Sequence, residues 1–374
     1  MLDEGYLFRY VEIENAAKVL ACGTSYMGCK HYACSNHQCT HTKVICQTCN
    51  SRFCHSCGQK ATERWINYQG EVLTDCEYRH LTFTMPDVLW EIFRLNRDLL
   101  NKLFPIAAKG LLDFAKEKNL IIGLFAALHT YGRKLNFNPH IHLSLAKIAL
   151  NKHNDLKIFY FPFKALVSRW RYGVISLLRN NAETLKLPEN LSYLVGDYSR
   201  WTQFLDNQYN RYWNVHIAKK TTHKNQTKNY IGRYLKKPPI AASRLKHIFE
   251  DDVTFEYLDH YDEKRKQLSL TQREMLIRLL NQIPEKYSKM IRYFGFLSNR
   301  LRGALLPVIY EILGQKLALI KPLSFAAMMK QMLRVDPYQC ILCGKNMLFT
   351  MFSPSKSLFC LRRNIKKLAL QRPF

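Results

Sequence analysis

The sequence predicts an α+β protein built from a small zinc-binding domain, a mixed strand-and-helix domain and a mostly helical C-terminal region. Three observations carry this reading. Eight of the twelve cysteines fall between Cys22 and Cys57, in a stretch poor in long apolar runs. From Tyr78 onward, period-two alternation and helical periodicity take turns. Beyond residue 260 helical patterns dominate, and the tail is rich in Lys and Arg. At 374 residues the chain exceeds a typical single core. The expected boundaries are 1–75 for a zinc-binding DNA-recognition domain, 76–260 for a catalytic domain and 261–374 for an α/β extension with a basic tail.

The first region opens with a helical stretch from Gly5 to Leu20 and closes with one from Gln59 to Leu73, where Trp65, Tyr68 and Val72 recur at helical spacing. A knuckle-like loop region is expected between them. His80–Met85 alternates polar and apolar residues until Pro86 stops it, as a strand does. Asp87–Lys118 is periodic and helical, with Asp87 as N-cap and Pro105 as the expected break. Strand character returns over 119–131 and 139–148. Residues 163–182 and 197–211 look helical, 212–219 strand-like, and the basic segment 219–237 forms a helix ended by Pro238-Pro239. Residues 253–257 and 264–270 read as a hairpin. A helix over 271–282, a strand over 290–297 and a helical stretch over 298–319 follow.

Charge narrows the function. The chain holds 56 Lys+Arg against 29 Asp+Glu, a net +27. Such a surface attracts polyanions, and nucleic acid is the usual one. No apolar run reaches the roughly 20 residues that span a bilayer, so no membrane is expected. The acidic Met1-Leu2-Asp3-Glu4 has no signal-peptide pattern. The expected location is cytoplasmic and nucleoid-associated. In that reducing compartment the cysteines read as thiols or metal ligands.

Two tight pairs carry the candidate chemistry. His140 and His142 stand two apart in Asn138-Pro139-His140-Ile141-His142, so a strand puts both imidazoles on one face. His129 ends the preceding strand; antiparallel pairing would bring it near as a third ligand. Mg2+ or Mn2+ held there would polarise a phosphate. Tyr230 and Tyr234 stand four apart, on one face of a helix. A phenol with a pKa near 10 is a poor nucleophile at neutral pH and needs a nearby cation or base. Arg233, Lys228, Lys236 and Lys237 would supply that field and grip the DNA backbone. Alone, an i, i+4 pair among 21 tyrosines reads as packing; the histidines and the cysteine cluster reverse that reading.

Among the cysteines, Cys34-x4-Cys39 and Cys54-x2-Cys57 have metal-ligand spacing and predict structural Zn2+. Cys46, Cys49 and His41 are further candidates. Two zinc ions are conceivable, the second drawing on Cys29, His31, His41, Cys46 or Cys49. The domain would present Lys30, Lys43, Arg52 and Lys60 to DNA. Cys340-x2-Cys343 is a half-site, completed by Cys360 or left as a vestigial turn. Cys76 reads as a packing residue.

His-hydrophobe-His followed by Tyr-x-x-x-Tyr resembles the two-tyrosine HUH nucleases, and most closely rolling-circle transposases of the IS ninety-one type. The segments that carry the likeness run in the family's order over residues 20–345. They are Cys54-His55-Ser56-Cys57-Gly58, Tyr78–Pro86, Leu128-His129-Thr130-Tyr131-Gly132, Asn138–His142, Tyr230–Tyr234 and Ile291–Gly295. His55 stands where the family commonly has proline. The resemblance implies an HUH-type antiparallel palm sheet with flanking helices. It also implies 5′-phosphotyrosine intermediates on single-stranded element ends and target DNA, and one-ended transposition. Two other readings stay open: a zinc-dependent DNA-binding regulator, and a replication initiator or relaxase. The sequence has no Walker-type phosphate loop and suggests no nucleotide cofactor. Homo-oligomerisation is left open.

Overall fold

The computed structural model describes residues 8–51, 53–218, 220–235, 239–259, 262–316 and 324–370; the side chains at 71, 230, 231, 233–235, 242, 332, 369 and 370 are not described. The chain divides into two compact units. One joins Met1–Asn67, Lys236–Ala242 and Ile320–Phe374; the other joins Tyr68–Leu235 and Ser243–Leu319. This differs from the three-part division at 75 and 260. Residues 320–374 cluster with the N-terminal residues, and 261–319 with the histidine-bearing segment.

In chain order the elements are α1 (Tyr10–Leu20), β1 (Cys29–Cys34), β2 (Thr42–Cys46), α2 (His55–Val72), β3 (Tyr78–Thr84), α3 (Trp90–Leu95), α4 (Leu103–Glu117), β4 (Leu120–Tyr131) and β5 (Phe137–Asn151). Then come β6 (Leu156–Ile158), α5 (Lys164–Arg179), α6 (Tyr198–Tyr209), β7 (Asn214–Ile217), α7 (Lys224–Leu235), β8 (Leu245–Phe249), β9 (Asp252–Leu258) and β10 (Arg265–Thr271). The last are α8 (Gln272–Leu280), β11 (Ile291–Gly295), α9 (Arg302–Ile312), α10 (Phe325–Leu333), β12 (Met347–Ser353), α11 (Leu358–Arg363) and α12 (Ile365–Leu370).

The larger unit is organised by an antiparallel sheet ordered β11-β4-β5-β3-β7, with β6 added alongside β5. One face is apolar: Leu81, Phe83, Leu124, Ala126, Leu128, Ile141, Leu143 and Leu145 are buried in a single core. Helices α3 to α6 cover it, contributing Phe93, Phe104, Leu111, Trp170, Ile175 and Trp201. Trp170 pins the layers together. Its ring meets Phe83 edge-on at 5.4 Å and its indole N–H donates to the Thr84 carbonyl at 2.7 Å. Because side chains alternate along a strand, the even-numbered residues of β3 and β5 face the other way. That second face is polar. A separate antiparallel sheet, β10-β9-β8, contains the expected hairpin.

The expected long helix over 87–118 is interrupted at Asn96 and not at Pro105. Asn96 has φ −119° and ψ 68°. Its side-chain amide donates to the Ile92 and Lys186 carbonyls and accepts from the Lys186 N–H, tying this break to a segment ninety residues away. Pro105 lies in the first turn of α4, where an N–H has no intrahelical acceptor to lose.

In the smaller unit, where a knuckle loop was expected, β1 and β2 pair antiparallel, and β12 joins β1 on its other edge. Gly28 permits that junction. Its φ is +86°, and a β-carbon there would lie 2.8 Å from the Ser353 carbonyl oxygen and 2.9 Å from the Ser355 nitrogen. Helix α1 packs on α11 and α12 through Ala17, Ala21, Leu361 and Leu368.

Candidate active site and metal centres

The polar face of the large sheet is built by strand register. His129 on β4 stands directly opposite His140 on β5, and Ala127 stands opposite His142. Directly opposed residues share a face, so the three imidazoles come together. One ring nitrogen from each lies within 4.8 Å of the others. His129 Nδ1 and His140 Nε2 are 3.2 Å apart. His140 is oriented by its own strand: its Nδ1 lies 2.7 Å from the Asn138 carbonyl, which can only accept, so Nδ1 carries the proton and Nε2 is left with a lone pair toward the cluster. His142 Nδ1 is 3.2 Å from Thr82 Oγ1 on β3.

Burial sets the charge of this cluster. It pushes His140 down to about 4, against an opposing contribution from the Asn138 hydrogen bond. Burial also holds His142 well below its ordinary value, helped by repulsion from His140 and His80. Both rings are therefore neutral at physiological pH, as a metal ligand must be. Three imidazole nitrogens from two strands suit a divalent cation with coordination positions left over for water or phosphate.

The same face leads to the helix that carries the tyrosines. His80 on β3 contacts Ser144 Oγ at 2.7 Å through Nδ1 and Thr221 Oγ1 at 3.0 Å through Nε2. Thr221 Oγ1 is 2.6 Å from Thr227 Oγ1 on α7. A continuous polar relay thus runs from β5 through β3 into α7. Helix α7 holds Tyr230 and Tyr234 four apart; their side chains, and that of Arg233, lie outside the described residues. Arg52, Lys236 and Lys237 also lie outside them. Lys228 is half-buried on α7, its ammonium beside Gly70. Thr82, His80, Thr221 and Thr227 were missed by sequence reading, although His80 and Thr82 share the strand face defined by alternation.

The cysteines form two quartets, not the grouping expected. Cys54 and Cys57, at the start of α2, meet Cys22 and Cys49. Cys34 and Cys39 meet Cys340 and Cys343. Four sulfurs about 2.3 Å from a tetrahedral zinc lie about 3.8 Å from one another. In the first quartet, sulfur separations of 3.6 Å, 3.6 Å and 3.7 Å join Cys22 to Cys57, Cys49 to Cys57 and Cys54 to Cys22. The Cys49 N–H points at Cys22 Sγ and the Ser51 N–H at Cys49 Sγ, at 3.3 Å and 3.4 Å, as they do toward thiolates. Hydrogen bonds from Cys22 and Cys49 lower the Cys57 thiol to about 6. The residues fit a closed structural zinc site. Cys46 belongs to neither quartet; its sulfur lies 3.0 Å from Cys29, its cross-strand neighbour. His41 Nδ1 sits 3.1 Å from Cys340 Sγ. Cys360 contacts Asn364 and stands apart from the quartets. The signal for two sites was in the count: 34/39, 46/49, 54/57 and 340/343 are more pairs than one tetrahedral ion can use.

No described helix is long and apolar enough to cross a membrane. Comparison with known proteins gives a consistent family. Residues 3–85 match the model of a transposase zinc-binding domain, and residues 123–304 match that of a putative transposase. The chain is 44% identical to the transposase for insertion sequence element IS801 of Pseudomonas savastanoi pv. phaseolicola, over all of this chain and 91% of that protein. It is 26% identical to the putative transposase y4qJ of Sinorhizobium fredii (strain NBRC 101917 / NGR234), over 83% of this chain and 82% of that one. No solved structure matches it. With a zinc-binding domain at its N-terminal end and a 44% identical transposase aligned along its whole length, the chain belongs to the IS91-type transposases.

Proposed function

We propose that the protein nicks and rejoins single-stranded DNA through 5′-phosphotyrosine intermediates, the chemistry of rolling-circle transposition. The observation that carries this reading is the convergence of His129, His140 and His142 on the sheet face that the His80–Thr221–Thr227 relay ties to α7. A DNA-binding regulator has no use for three converging imidazoles that leave part of a metal's coordination sphere open.

Mg2+ or Mn2+ bound there would supply Lewis-acid polarisation of the scissile phosphate. Asn138 and Thr82 hold His140 and His142 in place for that task. Tyr230 or Tyr234 then attacks phosphorus. A bond forms from the phenolic oxygen to phosphorus, the bond from phosphorus to the 3′ oxygen breaks, and the leaving 3′ oxygen takes up a proton. The phenolic proton passes to solvent, assisted by the positive field of Arg233 and Lys228. The phosphodiester energy is kept in the tyrosine link, so rejoining needs no nucleotide. Two tyrosines allow one to hold a donor 5′ end while the other cuts a second strand.

The test is a covalent adduct. Labelled single-stranded DNA carrying element ends, incubated with Mn2+, should yield a protein–DNA band on a denaturing gel, and peptide mapping should place the label on Tyr230 or Tyr234. The double variant Tyr230→Phe/Tyr234→Phe should give none. An adduct of wild-type yield from that variant would refute the nucleophile assignment.

A further inference from the structure

We propose that Cys34, Cys39, Cys340 and Cys343 hold a second structural zinc ion, whose ligands come from two stretches of chain about 300 residues apart, and that this ion locks β12 onto β1. Cys340 and Cys343 lie outside both stretches matched by the family models, 3–85 and 123–304. The zinc-binding domain of the family therefore does not account for them.

The geometry is that of a closed thiolate site. Cys34 and Cys343 sulfurs are 3.3 Å apart, and those of Cys39 and Cys340 3.8 Å, with all four within 4.8 Å. These bracket the separation of about 3.8 Å set by tetrahedral zinc–sulfur bonds. Each cysteine pair sits in a hydrogen-bonded turn. The Asn36 N–H is 3.4 Å from Cys34 Sγ. In the other turn, Gly344 N–H donates to the Cys340 carbonyl at 2.9 Å, and Cys340 N–H to the Lys345 carbonyl at 2.8 Å. Gly344 takes φ +72°, the left-handed conformation that closes this knuckle. His41 Nδ1, 3.1 Å from Cys340 Sγ, can donate to the same cluster. Four thiols fill a tetrahedron and leave no open position, so the site is architectural. Loading it releases four protons to solvent.

The site sits at one end of a strand junction. Cys34 is the last residue of β1 and pairs with Met347, the first of β12; Ser35 N–H donates to the Asn346 carbonyl at 2.9 Å. At the far end of the same pair, Cys29 aligns with Ser353, next to Gly28. The ion therefore fixes the register of an edge strand that is made about 300 residues after its partner. The three-stranded sheet can be completed only after residue 353 has been made, so the smaller unit gains its final form late.

The purified full-length protein should contain two zinc equivalents per chain, and Cys340→Ser/Cys343→Ser should contain one. Cobalt substitution should show thiolate charge-transfer absorption that halves in the variant. Because that variant could misfold, alkylation of the wild type gives an independent readout. Cys343 is exposed, so a maleimide reaches it unless a metal holds its sulfur. It should be alkylated at least tenfold more slowly than Cys360 in the zinc-loaded protein, and at a comparable rate after a strong zinc chelator, together with Cys34, Cys39 and Cys340. One zinc per wild-type chain, or Cys343 reacting as fast as Cys360 before chelation, would overturn the proposal.

Discussion

The thiol quartets and the imidazole trio are both metal-ligand clusters, yet they differ in every respect that separates architecture from chemistry. The quartets use four soft anionic donors drawn from turns and from the ends of a strand and a helix, and they close the coordination sphere. The trio uses three imidazole donors drawn from adjacent strands of one sheet, and it leaves the sphere open. The quartets substitute for a hydrophobic core in a unit whose buried apolar groups are small and scattered. The trio sits on the back of the extended apolar core of the larger unit. Ligand type and ligand count together suit the thiol clusters to holding the fold and the imidazole cluster to the proposed chemistry.

This contrast predicts different responses to metal loss. Removing zinc should unfold the smaller unit, since structural zinc in small domains contributes about 10–16 kcal/mol of apparent binding free energy at pH 7. Limited proteolysis should then cut 22–57 and 340–353 while leaving the β3–β5 region protected; equal cleavage of both would break the contrast. Next in size, His140→Ala should reduce DNA cleavage by about a thousandfold or more, as loss of a principal catalytic group does. DNA affinity in a filter-binding assay should stay within about twofold, a change under about 0.5 kcal/mol.

Smaller effects sharpen the same division. Trp170→Ala should cost about 3–5 kcal/mol of stability in the larger unit, seen as a lower urea midpoint with zinc content unchanged. Burial and the nearby Arg79 charge lower His80 to about 4 from 6.5. The unfolded chain thus takes up the proton first. The stability that neutral His80 contributes is complete above pH 6.5 and is lost as pH falls toward about 4, on the order of 3 kcal/mol in all. His80→Gln should flatten that part of the profile; an unchanged slope would remove His80 from the account. Thr82→Val should weaken Mn2+ binding by about 10- to 100-fold, the usual effect of losing a hydrogen bond to a ligating imidazole. Isothermal titration with Mn2+ would measure it.

Much of the histidine-bearing half was legible in the sequence because its cues are local. His140 and His142 share a strand face by alternation alone. The short connection between β4 and β5 makes antiparallel pairing the natural outcome, and that pairing sets His129 opposite His140. The zinc half was less legible because its cues are long-range. Strands β1 and β2 are interrupted by cysteine, histidine and lysine and show no clean hydrophobic alternation. Strand β12 finds its partner about 300 residues upstream, where no pattern within Met347–Ser353 could point. Sequence spacing identified the cysteine pairs but could not say which pair meets which, since that is decided by the sheet that joins the two ends. The interruption at Asn96 was hidden for a related reason: its side-chain partner, Lys186, lies ninety residues away.

The central claim, that the thiols build the protein and the imidazoles drive its chemistry, is tested most directly by adduct formation under selective metal removal. Zinc-loaded protein should be dialysed against a chelator too weak to strip thiolate zinc, then assayed on labelled single-stranded DNA alongside its zinc content. The account predicts that the covalent adduct falls to background while zinc content and the melting temperature stay unchanged, and that added Mn2+ restores it. Undiminished adduct with no metal available to His129, His140 and His142 would contradict it.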